Sequence, residues 1–196
     1  EFRYRDPILN ENTLMIIISQ SGETADTLAA LREAKRAGCR VLSVVNVVGS
    51  TIATESDDVL YTWAGPEISV ASTKAYSTQL AVIYLLALYI GEQLGKFTQE
   101  QLSAYIAALE KLPEQIDEML KHKENIQFFA SKYFNASDMY FIGRNVDYAA
   151  SLEASLKLKE ISYIHSEAYA AGELKHGPIS LIEDGTLVIA LATKDR

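Results

Sequence analysis

Cysteine is nearly absent from the sequence: Cys39 stands alone among 196 residues. No disulfide can form within the chain, and a lone thiol fits a reducing compartment such as the cytoplasm. Its place at the opening of an apolar strand argues against a catalytic thiol. Positive charge is short as well. Eighteen Lys and Arg against 26 Asp and Glu leave a formal net charge of −8, which gives no electrostatic reason to expect nucleic acid as a partner. Long hydrophobic runs are missing. The most apolar stretch, Leu80–Ile90, is far shorter than the ~20 residues a membrane-spanning helix needs. No signal peptide is visible. No Gly-Lys-Ser/Thr follows the first strand, which excludes a Walker loop. No Gly-x-Gly-x-x-Gly follows Ile18, which speaks against a dinucleotide-binding fold. A starting Met is also missing. The chain begins at Glu1-Phe2-Arg3 just before a strand and ends at Asp195-Arg196 just after one, so the expectation is an excised piece of a longer protein. What remains, 48% apolar and 22% charged, is the composition of a globular protein with one large domain or two small ones.

The rest of the chain is organised around Leu14-Met15-Ile16-Ile17-Ile18 followed by Ser19-Gln20-Ser21-Gly22-Glu23-Thr24. The apolar run reads as a strand buried on both faces. It stops at hydroxyls and a glycine, and a helical pattern then runs from Thr24 to Ala37, with Gly38 ending it. A strand, a Ser/Gly turn and a helix N-terminus together make an anion site, because first-turn N–H groups lack partners and the helix dipole favours negative charge. Ser19, Ser21 and Thr24 add hydroxyl donors, and Gly22 allows close backbone approach. An ordinary strand–helix turn with a Ser cap is the plainer alternative.

Further strands are expected at Val41–Val45, Val59–Thr62, Met139–Ile142 and Leu187–Leu191. Helices alternate with them, as in right-handed parallel units. A long apolar helix follows Ser69-Val70-Ala71-Ser72-Thr73, with Ser72 or Thr73 as its N-cap, and ends before Gly95. Thr98–Phe134 reads as amphipathic helix, restarted at Pro113, with His122 on a solvated face. Val146 to about Ser162 is another helix. Asn12–Ser19 and Gly185–Ala192 share Thr-Leu followed by apolar residues, which is either a short repeat or chance.

Lys157 and Glu160 lie three apart on a helix and so share one face. A carboxylate beside an ammonium stays ionised, which suits a general base. A surface salt bridge is the commoner use of the same spacing. Downstream, Glu173-Leu174-Lys175-His176-Gly177-Pro178 sets a His between turns. His shuttles protons near neutral pH; a buried structural His is the alternative. His165, after Tyr163 and Ile164, reads as that structural case.

Four strings, Ser19–Thr24, Val70–Lys74, Leu156–Glu160 and Glu173–Pro178, stand in one chain in this order. Together they resemble the isomerase part of the glucosamine-6-phosphate synthases, which is built of two sugar-isomerase (SIS) subdomains. The first string occurs across SIS proteins, and the last two are more specific to the synthases. The resemblance implies an α/β, SIS-type three-layer fold: a parallel five-stranded sheet flanked by helices on both faces. It implies part of a first SIS subdomain at 1–97, a helical connector at 98–137 and the start of a second subdomain at 138–196. Ser19, Gln20, Ser21 and Thr24 would hold a sugar phosphate, with Ser72 and the Val70 backbone on the sugar. Glu160 would move a proton between C1 and C2, Lys157 would assist, and His176 would open the sugar ring from a neighbouring subunit. The implied reaction converts fructose 6-phosphate to glucosamine 6-phosphate with ammonia from glutamine, in a cytoplasmic homodimer, with no cofactor and no metal. The family's Schiff-base lysine and its glutaminase domain have no counterpart in this chain, so the piece alone is not expected to be active. Some SIS domains only sense phosphosugars. Glu160, Lys157 and His176 argue against that alternative, because a sensor needs only the cradle.

Overall fold

The computed structural model describes residues 2–193. The chain divides into two compact units, Glu1–Leu112 and Pro113–Arg196.

In the first unit, β1 (Leu14–Ser19), α1 (Ala25–Arg36), β2 (Arg40–Val45), α2 (Thr51–Glu55) and β3 (Asp58–Tyr61) wind a three-stranded sheet in the order β1-β2-β3. Both pairings are parallel, with Ile17 opposite Ser43 and Val44 opposite Leu60. The core lies between the sheet and α1. Ile17, Val41 and Val45 meet Leu28, Leu31 and Ala34 from α1 and Ile52 from α2. Cys39 is buried among them.

On the opposite face α3 (Lys74–Gln93) packs over β2, and α4 (Gln99–Glu110) follows it. A cavity of about 690 Å³ remains between α3 and the sheet, walled by Leu14, Leu42 and Leu60 and by Val82, Leu86 and Ile90. This gap corrects the expectation that β1 is buried on both faces. Ile17 is 3% exposed, whereas Leu14, Ile16 and Ile18 are 48%, 40% and 47% exposed. β1 is an edge strand, and only its α1 face is covered.

α4 opens on a reciprocal capping box. Gln101 N–H donates to Thr98 Oγ1 at 3.3 Å, and Thr98 N–H donates to Gln101 Oε1 at 2.9 Å. The α3 start differs from expectation. Neither Ser72 nor Thr73 caps it through its side chain; Glu67 reaches forward to accept from the Ala75 N–H at 3.2 Å.

Among the described residues two buried hydroxyls, those of Ser43 and Ser50, are without a hydrogen-bond partner. Ser43 lies fully buried in the middle of β2. An unpaired buried hydroxyl costs about 1–3 kcal/mol. Ser43→Ala is therefore expected to raise unfolding stability by about 1 kcal/mol, read as a higher urea midpoint at unchanged slope. A lower midpoint would mean that the hydroxyl is satisfied in solution.

The second unit holds α6 (Lys123–Tyr133), preceded by α5 (Leu112–Leu120), which begins at the division itself. Then come β4 (Asp138–Gly143), α7 (Val146–Ser162), β5 (His165–Ala170) and β6 (Leu187–Ala190). They form a second parallel sheet in the order β5-β4-β6. α7 packs against β4 and β5 through small polar residues. Ser151 and Ser155 are buried, and the Ser166 hydroxyl of β5 donates to Ser155 Oγ at 2.9 Å. Gly143 ends β4 where any side chain would collide with the backbone of Asp147 and Tyr148.

The α/β class is as expected, with parallel sheets and helices packed on them. The single five-stranded sheet is not. Among the described residues six strands form two three-stranded sheets, one in each unit. The added strand is β5. It begins at His165, and that residue is corrected too. Its side chain is 58% exposed, with Nδ1 3.8 Å from Asp138 and Nε2 3.7 Å from Glu167, so it is no buried structural histidine.

Candidate functional site

The turn between β1 and α1 is built by its own hydroxyls. Ser19, buried at the strand end, accepts from the Gly22 N–H at 3.0 Å. Ser21 Oγ accepts from the Glu23 N–H at 3.2 Å. These bonds fold 19–23 back on itself and bring the chain to Thr24, the N-cap of α1. The Thr24 backbone is extended there, and its hydroxyl makes no cap bond. The first-turn N–H groups of a 12-residue helix therefore face outward beside an unused hydroxyl. Gly22 sits at φ +68°, where a side chain would also run into Ser50.

Two neighbours fasten this turn. Ile52 N–H donates to the Gly22 carbonyl at 2.9 Å. Glu23 points away from the helix start: its carboxylate accepts from the Thr51 N–H and hydroxyl, both at 2.7 Å. Those bonds, the backbone one foremost, hold the Glu23 carboxyl below the ordinary carboxylate range. A depressed folded-state pKa stabilises above the unfolded value and is lost as pH falls through the folded one. The Glu23–Thr51 clamp is thus expected to hold above the ordinary glutamate value of about 4.3 and to loosen below it. Glu23→Gln should flatten the acid limb of the stability profile relative to wild type. An unchanged acid limb would remove Glu23 from this role.

Sequence reasoning missed Asn46, on the loop after β2. Its N–H donates to the Gln20 carbonyl at 3.2 Å. Its Nδ2 donates to the Gly65 carbonyl at 2.7 Å, and its Oδ1 accepts from the Thr62 hydroxyl at 3.0 Å and the Ala64 N–H at 2.9 Å. Through its backbone N–H on one side and its side chain on the other, this one residue ties the Ser19–Thr24 turn to the loop that goes on to Val70 and Ser72. On that loop Val70 is exposed, Ser72 is partly buried, and the Ser72 N–H donates to the Val70 carbonyl at 3.0 Å.

In the second unit α7 carries the charged residues. Lys157 Nζ lies 2.5 Å from Glu160 Oε2 and 3.4 Å from Glu153 Oε1. All three side chains are more than two-thirds buried. The bond to Glu160, opposed by burial and aided by Glu153, holds the Lys157 ammonium above the ordinary lysine value. Glu153 went unnoticed in the sequence, although its spacing of four from Lys157 is the signal that finds it. A positive charge bridging two partly buried carboxylates is more than a solvated surface pair. His176 is exposed at the end of the 3₁₀ turn Leu174–His176, so the buried structural reading does not hold. Among the described residues no group of three or more His, Cys, Asp or Glu side chains converges to hold a metal ion.

The profile of the SIS domain matches residues 1–89 and 132–196. A glutamine–fructose-6-phosphate aminotransferase (isomerizing) of Caldanaerobacter subterraneus is 60% identical over all of this chain, and that of Clostridium tetani is 61% identical. The chain spans about a third of the length of these relatives, 32% of each. The solved C-terminal domain of a glucosamine-fructose-6-phosphate aminotransferase from Francisella tularensis superposes with a TM-score of 0.96 at 39% identity. That match covers 99% of this chain and 55% of the solved one. A phosphosugar isomerase structure from Clostridium difficile follows at 0.88 and 29% identity. With more than half of its residues matched by the domain profile, the chain belongs to the SIS domain family.

Proposed function

We propose that this chain is the phosphosugar-binding isomerase portion of a glutamine–fructose-6-phosphate aminotransferase. The Ser19–Thr24 turn is the main support: a helix N-terminus with an unused cap hydroxyl and a glycine at positive φ suits a phosphate. The high identity to two aminotransferases of that name supports the same reading. In it, residues 1–97 and 138–196 are parts of two SIS subdomains, and 98–137 is a helical connector.

The phosphate of fructose 6-phosphate lies on the N–H groups at the start of α1 and on Ser19, Gln20, Ser21 and Thr24. Val70 and Ser72 meet the sugar. His176, supplied by a second copy of the chain in a homodimer, passes the ring proton as the sugar opens. Glu160 takes the proton from C1 and returns it at C2, giving the aldose. Lys157 orients that carboxylate and faces the charge that develops on the enediol oxygen. Amination with ammonia from glutamine belongs to the complete protein, which acts in the cytoplasm.

Calorimetric titration with glucosamine 6-phosphate against glucosamine tests the reading. Saturable binding of the phosphate ester alone is expected, weakened by ~1–3 kcal/mol in Ser21→Leu through lost hydrogen bonds and steric conflict. Equal binding of both sugars would overturn the cradle. Glu160, Lys157 and His176 favour this enzyme over a phosphosugar sensor, since binding alone needs none of them.

A further inference from the structure

The second unit has a polar pocket of about 630 Å³ at the end of its sheet where the strands begin. Ligands of parallel sheets ordinarily sit at the other end, outside the carboxyl ends of the strands. Its wall includes Ser137 and Asp138 at the start of β4, Tyr140 within β4, and Glu183, Asp184 and Thr186 in the turn that leads into β6. That turn is closed on itself. The Thr186 N–H donates to the Glu183 carbonyl, and the Glu183 N–H donates to Thr186 Oγ1, both at 3.0 Å.

Tyr140 is the unusual member. It is 6% exposed, yet its hydroxyl has no hydrogen-bond partner among the described residues. Its ring stacks on Tyr169, with centroids 6.2 Å apart. The Tyr169 hydroxyl, by contrast, donates to Glu167. The Tyr140 oxygen is not among the sealed side-chain atoms that lack a partner, so this nearly buried ring keeps its hydroxyl within reach of solvent. Burial, then the charges of Asp138 and Glu167, push the Tyr140 phenol above its ordinary pKa, so it is neutral near pH 7 and its oxygen is open to a donor.

The charges around the pocket have one sign. Asp138, Glu183 and Asp184 line it, and no Lys or Arg does. Such a wall repels a phosphate ester, which separates this pocket from the proposed sugar-phosphate cradle. It favours a cation. Metal-ligating side chains do not converge in threes among the described residues, and the volume is that of a small-molecule site. We propose that this pocket binds an organic polyamine, whose ammonium groups donate to the Tyr140 hydroxyl oxygen and pair with Asp138 and the Glu183–Asp184 turn.

Titration of the chain with spermidine tests this. One saturating site is expected. Tyr140→Phe keeps the ring stack and removes only the oxygen, and it should weaken binding by about tenfold or more, as should Asp138→Asn. Asp117→Asn on α5, outside the pocket, should bind as wild type does. Circular dichroism of each variant separates lost binding from lost fold; if Tyr140→Phe unfolds, Asp138→Asn carries the test. Absence of saturation, or wild-type affinity in both pocket variants, would reduce the effect to attraction by the acidic surface and overturn the site. Displacement of spermidine by equimolar magnesium would overturn the choice of an organic cation.

Discussion

Replacing Glu160 by Gln in a full-length protein carrying this sequence is expected to lower isomerisation by about 10²–10⁴-fold, the usual contribution of a positioned acid–base group. The substitution conserves size and leaves an oxygen for the Lys157 ammonium 2.5 Å away, so α7 keeps its packing. Only the proton acceptor is removed. Binding of the phosphosugar should hold, because the proposed phosphate contacts are those of the turn between β1 and α1. Isomerisation is read from the conversion of fructose 6-phosphate, and binding from calorimetry on the same preparation. Full activity in the variant would remove Glu160 from the chemistry. Loss of folding and binding together would favour a structural role for the Glu153–Lys157–Glu160 cluster.

Gly22→Val is expected to have the larger effect on the fold of the cradle. A β-branched residue at φ +68° is strained by about 1–3 kcal/mol. Its side chain would also strike Ser50, which is buried and closely packed against this glycine. Overpacking of that kind costs about 1–3 kcal/mol more. The turn can relax only by giving up the Ile52–Gly22 hydrogen bond or the Ser19 bond to the Gly22 N–H, and either shift moves the first-turn N–H groups of α1. A lower denaturant midpoint and undetectable binding of glucosamine 6-phosphate are expected together. Unchanged affinity would mean that this backbone does not hold the ligand.

Most apolar elements were legible because their pattern is local. β1, β2, β3, β4 and β6 are short, mainly apolar runs, aliphatic in β1, β2 and β6 and joined by Tyr61 in β3 and by Tyr140 and Phe141 in β4, and α7 fills the stretch that its spacing marks. β5 was not legible. His165-Ser166-Glu167-Ala168-Tyr169-Ala170 alternates polar with small residues, and its hydrogen bonds to β4 rather than apolar burial make it a strand. α2, only five residues long, is fastened at its start by Glu23, which accepts from the Thr51 N–H and hydroxyl, rather than by a periodic face. The division into two sheets was hidden because an apolar run does not say which neighbour it joins. The exposed face of β1 follows from that division, since an edge strand under a gap alternates where a central one does not.

The site shows the same contrast. The Ser-Gly turn before a helix is a local signal and could be read directly. Asn46 could not, because its side chain acts on residues 16 to 19 positions downstream and its backbone N–H on Gln20 upstream. Asparagine in a loop carries no mark of such a role. Glu153 was within reach through its spacing from Lys157, but charged residues on helices are common enough to pass unremarked.

A crystal structure with fructose 6-phosphate at saturating concentration tests the central claim most directly. The phosphate is expected on the Ser19–Thr24 turn, within hydrogen-bond distance of the first-turn N–H groups of α1 and of the Thr24 hydroxyl. A phosphate bound elsewhere, with this turn empty, would contradict it.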